Sequence, residues 1–137
     1  MTDFVRARSE EQKQARMAEI KAAADSLFNS VPYQEITLST IAGKLSWTRA
    51  NLYKYVTTKE EIYLDICSDK MHSYFDDLFA AFPEGKTWTP DEWAGRWADV
   101  LNDHRDYFRY SDILCTIIEV HVSACRLACF KKSYFTG

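Results

Sequence analysis

The densest set of recognition groups lies at residues 48–56, where Thr48, Arg49, Ala50, Asn51, Tyr53, Lys54 and Tyr55 surround Leu52 and Val56. On a helix, Leu52 and Val56 turn to one side. The other faces then carry hydrogen-bonding groups, two positive charges, two phenols and not one acid. An anchored seam with an acid-free polar face suits docking against phosphates and base edges. Arg49 is the best base reader among them, because its fork can donate twice to one guanine. No comparable cluster supports catalysis. The chain has no Gly-rich phosphate loop, no nucleophile-elbow pattern and no paired acids in an apolar setting, and Asp76-Asp77 reads as a solvated face. Neither an enzymatic activity nor a cofactor is expected.

The elements that must hold this face can be read on either side of it. At 37–45, Leu38, Ile41, Ala42 and Leu45 fall at i, i+3, i+4 and i+7, one apolar stripe, with Thr37 placed to cap the first turn. Ser46 breaks that pattern, and a second helix follows at about 48–56. Upstream, Met17, Ile20, Ala24, Leu27 and Phe28 make the buried stripe of a helix running from about Ser9, where Gln12 completes a weak capping box, to about Asn29. Residues 1–8 carry Arg6 and Arg8 and little to pack; they read either as an arm touching phosphates or as a frayed terminus. Downstream, a long helix begins at Lys59, capped by Thr58. Ile62, Ile66, Tyr74, Leu78 and Phe82 follow the helical period, and Tyr63, Phe75 and Phe79 widen the stripe. A lysine in a first turn opposes the helix dipole, so a phosphate partner for Lys59 is the more economical reading.

The string I-A-G-K-L-S-W-T-R-A-N-L-Y-K-Y-V-T-T-K-E-E-I closely resembles the helix-turn-helix of TetR/AcrR-type transcriptional regulators. Its most specific part is L-Y-K-Y-V-x-x-K-E-E at 52–61. The match reaches back over A-x-x-L-F at 24–28 and P-Y-Q-E-I-T at 32–37. Beyond about residue 65 it loosens, although W-A-D-V-L-N-D-H-R-D-Y-F from Trp97 looks like the second-domain core of some members. The turn departs from the family, which usually has Gly where this chain has Ser46; a non-Gly residue there must accept an unfavourable φ. The resemblance implies that Thr48, Arg49, Ala50 and Asn51 reach base edges. It also implies that Thr37, Tyr53, Tyr55 and Lys59 hold phosphates, with Lys54 beside them and Ser39 reaching a base or phosphate from the first helix.

Charge distribution agrees with this reading although the net charge does not. The whole chain carries −3, yet residues 1–59 hold nine Lys/Arg against six Asp/Glu, a net of +3, and residues 60–137 hold eight against fourteen, a net of −6. The positive part is the part with the recognition motif. No stretch approaches the roughly 18 apolar residues of a membrane span, and no signal segment opens the chain, so a cytoplasmic protein without membrane contact is expected. Cys67, Cys115, Cys125 and Cys129 have no framework spacing and read as free thiols.

P-E-G-K-T at 83–87 is the clearest break. Thr89-Pro90-Asp91-Glu92 then supplies an N-cap, a proline at the first helical position and a Thr-x-x-Glu capping box. The next helix carries Trp93, Trp97, Val100, Leu101 and His104 on one face. Another from about Asp106 carries Tyr107, Phe108, Tyr110, Ile113, Leu114, Ile117 and Ile118, and a last one starts near Ser123. These aromatic faces read either as core or as the pocket for a small apolar or aromatic ligand that the resemblance implies. Trp93, Trp97, Tyr107, Phe108 and Tyr110 would line that pocket, with His104 or Cys115 as polar contacts. His121, Cys125 and Cys129 fall at i, i+4 and i+8, the one metal-like spacing. Eight residues of helix span about 12 Å, so a pair could bind but the three cannot easily converge on one ion, and packed thiols with no metal are expected.

We therefore expect an all-α chain. Residues 1–58 form a three-helix helix-turn-helix DNA-binding unit, joined by a long helix to a small, truncated ligand-binding and dimerisation region at 59–137. The function expected is that of a sequence-specific regulator of a double-stranded DNA operator, a repressor released by a ligand. The rival is a truncated member that pairs with a relative and does not bind DNA; a salt-dependent DNA shift discriminates the two. Family members usually continue for further helices that build a dimer interface. Here the apolar run from Ile113 onward, including Cys115, Ile117, Ile118, Val120, Val122, Leu127 and Phe130, is expected either to make a homodimer or to fold back on the long helix.

Overall fold

Residues 2–113 and Cys115 are described by a computed structural model of the chain. Among the described residues it is all-α: α1 (Thr2–Ser30), a short 3-10 turn (Tyr33–Glu35), α2 (Leu38–Leu45), α3 (Arg49–Tyr53), α4 (Lys59–Ala81), α5 (Pro90–Asp103) and α6 (Arg105–Ile113). The chain divides into two compact units between Tyr63 and Leu64, inside α4.

In the amino-terminal unit, α2 packs against both α1 and α3. Ile20, Ala24, Ile36, Ile41, Ala42, Leu52, Val56 and Ile62 are buried together with Phe28, Tyr33 and Tyr63. The expected stripes of α1 and α2 supply Ile20, Ala24, Phe28, Ile41 and Ala42 to that core. Tyr63 joins three parts of it: its ring lies 5.7 Å from Phe28 and 5.4 Å from Tyr33, and its hydroxyl donates to the Ala24 carbonyl at 2.8 Å.

Two expected boundaries are corrected. α1 begins at Thr2, not near Ser9, so the helix includes 2–8. The segment has no Gly or Pro, so nothing breaks the helix at Ser9. α3 ends at Tyr53, with Lys54 as its C-cap, well before Val56. The chain tightens there: the N–H groups of Tyr55 and Val56 both return to the Leu52 carbonyl, at 3.0 and 3.2 Å. The β-branched run Val56-Thr57-Thr58 disfavours further helix. Val56 still reaches the core.

In the second unit, Leu64, Ile66, Cys67, Met71 and Tyr74 of α4 are buried, as are Val100, His104, Tyr107 and Tyr110. α5 starts as its sequence requires, with Pro90 at the first position and a reciprocal box between Thr89 and Glu92, at 3.2 and 3.1 Å. Phe79 departs from its expected place in the stripe. It is 65% exposed, because it stacks on Phe75 at 6.3 Å while Phe82, not Phe79, meets Trp93. Ile117 and Ile118, the helix near Ser123, the trio His121, Cys125 and Cys129, and most of the apolar run after Ile113 lie outside the described residues.

Candidate nucleic-acid interface

α2 and α3 are fixed by their caps and by the turn between them. Thr37 Oγ1 accepts from the Thr40 N–H at 3.2 Å, and Thr40 Oγ1 accepts from the Thr37 N–H at 2.9 Å. Thr48 Oγ1 accepts from the Asn51 N–H at 3.1 Å. The turn closes through Ser46, which takes the left-handed conformation (φ 60°, ψ 33°), while the Trp47 N–H returns to the Ala42 carbonyl at 2.9 Å. A Schellman-type closure of this kind normally uses Gly, so Ser46 bears the unfavourable φ expected of it.

This frame exposes Thr37, Ser39, Thr48, Arg49, Ala50, Tyr53 and Lys54, and leaves Asn51, Tyr55 and Lys59 half-buried. From Ile36 to Lys59 the chain contains no acid, so Lys44, Arg49 and Lys54 stand exposed with no carboxylate in their own segment. Arg49 and Tyr53, one turn apart, meet directly: Arg49 Nη2 donates to Tyr53 Oη at 2.9 Å.

Two residues sit differently from their simplest reading. Lys59 Nζ donates to the Tyr33 carbonyl at 2.8 Å and lies 4.1 Å from the Tyr33 ring centroid. The lysine therefore has a partner in its own unit, tying the start of α4 to the turn after α1. Burial pushes its ammonium below the usual lysine value, against the opposing charge of Glu60. Tyr55 faces Trp47 at 5.9 Å and lines a groove with Gln12, Ala15, Arg16 and Glu19. Arg16 lies over the Trp47 ring at 5.6 Å and pairs with Glu19 at 3.1 Å. Sequence reasoning passed over Arg16 and Trp47. Contact between residues thirty-one apart, with Trp47 on no apolar stripe, leaves no periodic signal to find.

Residues 68–137, just over half of the chain, match the family described as "Tetracyclin repressor-like, C-terminal domain". The chain belongs to the TetR family. No curated protein matches it. The family match and the helix-turn-helix resemblance rest on different residues, since the match begins beyond α3 and the first turns of α4. Membership makes the chain one of a family of transcriptional regulators. No described helix is long and apolar enough to cross a membrane.

Within the matched region, several of the aromatic residues named for a pocket gather around Tyr74, which the sequence placed only in the stripe of α4. Its ring stacks on Tyr107 at 5.4 Å and meets Phe108 at 5.2 Å and His104 at 5.7 Å edge-on. Its hydroxyl accepts from Trp97 Nε1 at 3.1 Å. Trp93 lies 5.1 Å from Trp97 and 4.5 Å from Phe82. His104 is buried and its Nε2 donates to Asp77 Oδ2 at 2.7 Å, so Asp77 is engaged rather than merely solvated. Tyr110 is buried under Lys70, Trp93, Trp97 and Phe108 remain partly exposed, and Cys115 is exposed. Among the described residues no group of His, Cys, Asp or Glu could hold a metal ion.

Proposed function

We propose that the chain is a sequence-specific DNA-binding regulator whose amino-terminal unit reads an operator through α2 and α3, and that it represses until a small apolar or aromatic ligand binds the second unit. The observation that carries this reading is the acid-free exposed face built on two capped helices, with Arg49 and Tyr53 at its centre. Family membership, resting on other residues, supports it.

In this reading Arg49 reads a guanine, with Thr48, Ala50 and Asn51 along the same base edges. Thr37, Ser39, Tyr53, Lys54 and Tyr55 hold backbone oxygens, and Lys59 presents its remaining N–H donors while bound to Tyr33. The functional division falls at 58/59, where α4 begins. The Tyr74-centred aromatic group of Trp93, Trp97, Tyr107 and Phe108, with His104, Tyr110 and Cys115 around it, offers stacking surface to the ligand. The protein acts in the cytoplasm as a homodimer, because a single recognition helix binds weakly and a two-fold operator requires two, about 34–36 Å apart.

Selection of duplexes from a random pool by the full chain tests the proposal. A defined, two-fold sequence should emerge, and Arg49→Ala should cost about 1–3 kcal/mol of discrimination at one base pair per half-site. A pool that stays random would contradict it.

A further inference from the structure

We infer that Tyr53 sets the sequence specificity of Arg49: it is a positioning residue for the base reader and not only a phosphate contact. This rests on the DNA-binding reading above and goes beyond it. Arg49 and Tyr53 lie one turn apart on α3, where side chains four residues apart share a face. The guanidinium carbon lies 5.6 Å from the Tyr53 ring centroid, and Nη2 donates to Tyr53 Oη at 2.9 Å. Ring and hydroxyl thus both hold one exposed side chain that otherwise has large rotamer freedom.

The hydrogen-bond inventory makes the arrangement usable. A guanidinium has five N–H donors, so one given to Tyr53 still leaves a two-donor edge for a guanine. The phenol accepts from Arg49 through a lone pair and keeps its own proton to donate to a phosphate oxygen. One oxygen atom then links backbone contact to base contact: docking on the phosphate fixes the phenol, and the phenol fixes the arginine. No carboxylate lies in the segment from Ile36 to Lys59 to compete for the fork.

The test is a double-mutant cycle on the full chain with Arg49→Ala and Tyr53→Phe, using the selected duplex and the same duplex changed at the base pair that Arg49→Ala identifies. Tyr53→Phe keeps the ring and removes the hydroxyl. It should lower the ratio of affinities for the two duplexes by about five- to tenfold, within the range one bidentate base contact supplies. In the Arg49→Ala background it should not change that ratio. Thermal midpoints of the variants confirm that both fold, as the exposure of both side chains predicts. Tyr53→Phe that weakens both duplexes equally, or that raises discrimination by freeing the arginine, overturns the inference while leaving DNA reading intact. Wild-type protein with no duplex preference overturns both.

Discussion

Tyr33 and Tyr63 touch edge to face in the core of the amino-terminal unit, and burial raises the phenol pKa of both. They differ in one hydrogen bond. Tyr63 donates to Ala24, whereas the buried Tyr33 hydroxyl has no hydrogen-bond partner of good geometry among the described residues, although Glu60 lies close enough to act on it. A buried hydroxyl without a partner costs roughly 1–3 kcal/mol, and a satisfied one contributes roughly 1 kcal/mol. Tyr63→Phe should therefore lower unfolding stability by about 1 kcal/mol, and Tyr33→Phe should leave it unchanged or raise it. Urea unfolding of both variants checks this, and equal losses would contradict it. At this scale the sequence was partly legible. That 48–56 would bury Leu52 and Val56 and expose Arg49 followed from spacing alone. That Lys59 would bind the Tyr33 carbonyl did not, because a contact across twenty-six residues belongs to no period.

The helices themselves were legible where local chemistry decides them and illegible where two tendencies compete. Thr37, Thr89 and Pro90 announce their caps, and the structure has them. The early end of α3 arises from a balance between helix period and β-branched residues that spacing does not weigh. Ser46 offers a direct test at the turn. An L-residue with φ near 60° bears a cost that Gly avoids. Ser46→Gly should stabilise the unit by about 0.5–1 kcal/mol, and Ser46→Val, β-branched, should destabilise it by more. Thermal unfolding measures both, and a destabilising Ser46→Gly would refute the strain argument.

A second element-level test concerns Lys70 of α4 and Asp106 of α6, paired at 2.6 Å. Burial works to raise the Asp106 pKa, but the Lys70 hydrogen bond and charge, with the Tyr107 N–H, outweigh it and hold the carboxyl below its usual 3.8. A carboxyl depressed on folding stabilises the folded state above its unfolded pKa, and that contribution is lost as pH falls through the folded value. Asp106→Asn should be less stable than wild type at neutral pH, and the difference should be lost as pH falls below the usual carboxylate range. Urea midpoints of the two proteins across that range decide it; a gap that persists in acid would assign the loss to packing.

At the scale of the whole molecule, what sequence showed best was the segregation of charge, +3 before residue 60 and −6 after it. Family membership came from the other end of the chain, over 68–137. The aromatic group of the second unit was legible as helical stripes, but its centre at Tyr74 was not, because Tyr74 and its partners lie on different helices. The central claim, that α2 and α3 meet DNA, is most directly tested by the salt dependence of binding. Each phosphate neutralised releases counterions, so binding through several cationic contacts must weaken as salt rises. Fluorescence anisotropy of the selected duplex with the full chain should show affinity falling at least about tenfold between 50 and 200 mM salt, with a shallower slope for Lys54→Ala. Affinity unchanged across that range, or identical slopes for wild type and variant, would contradict the account.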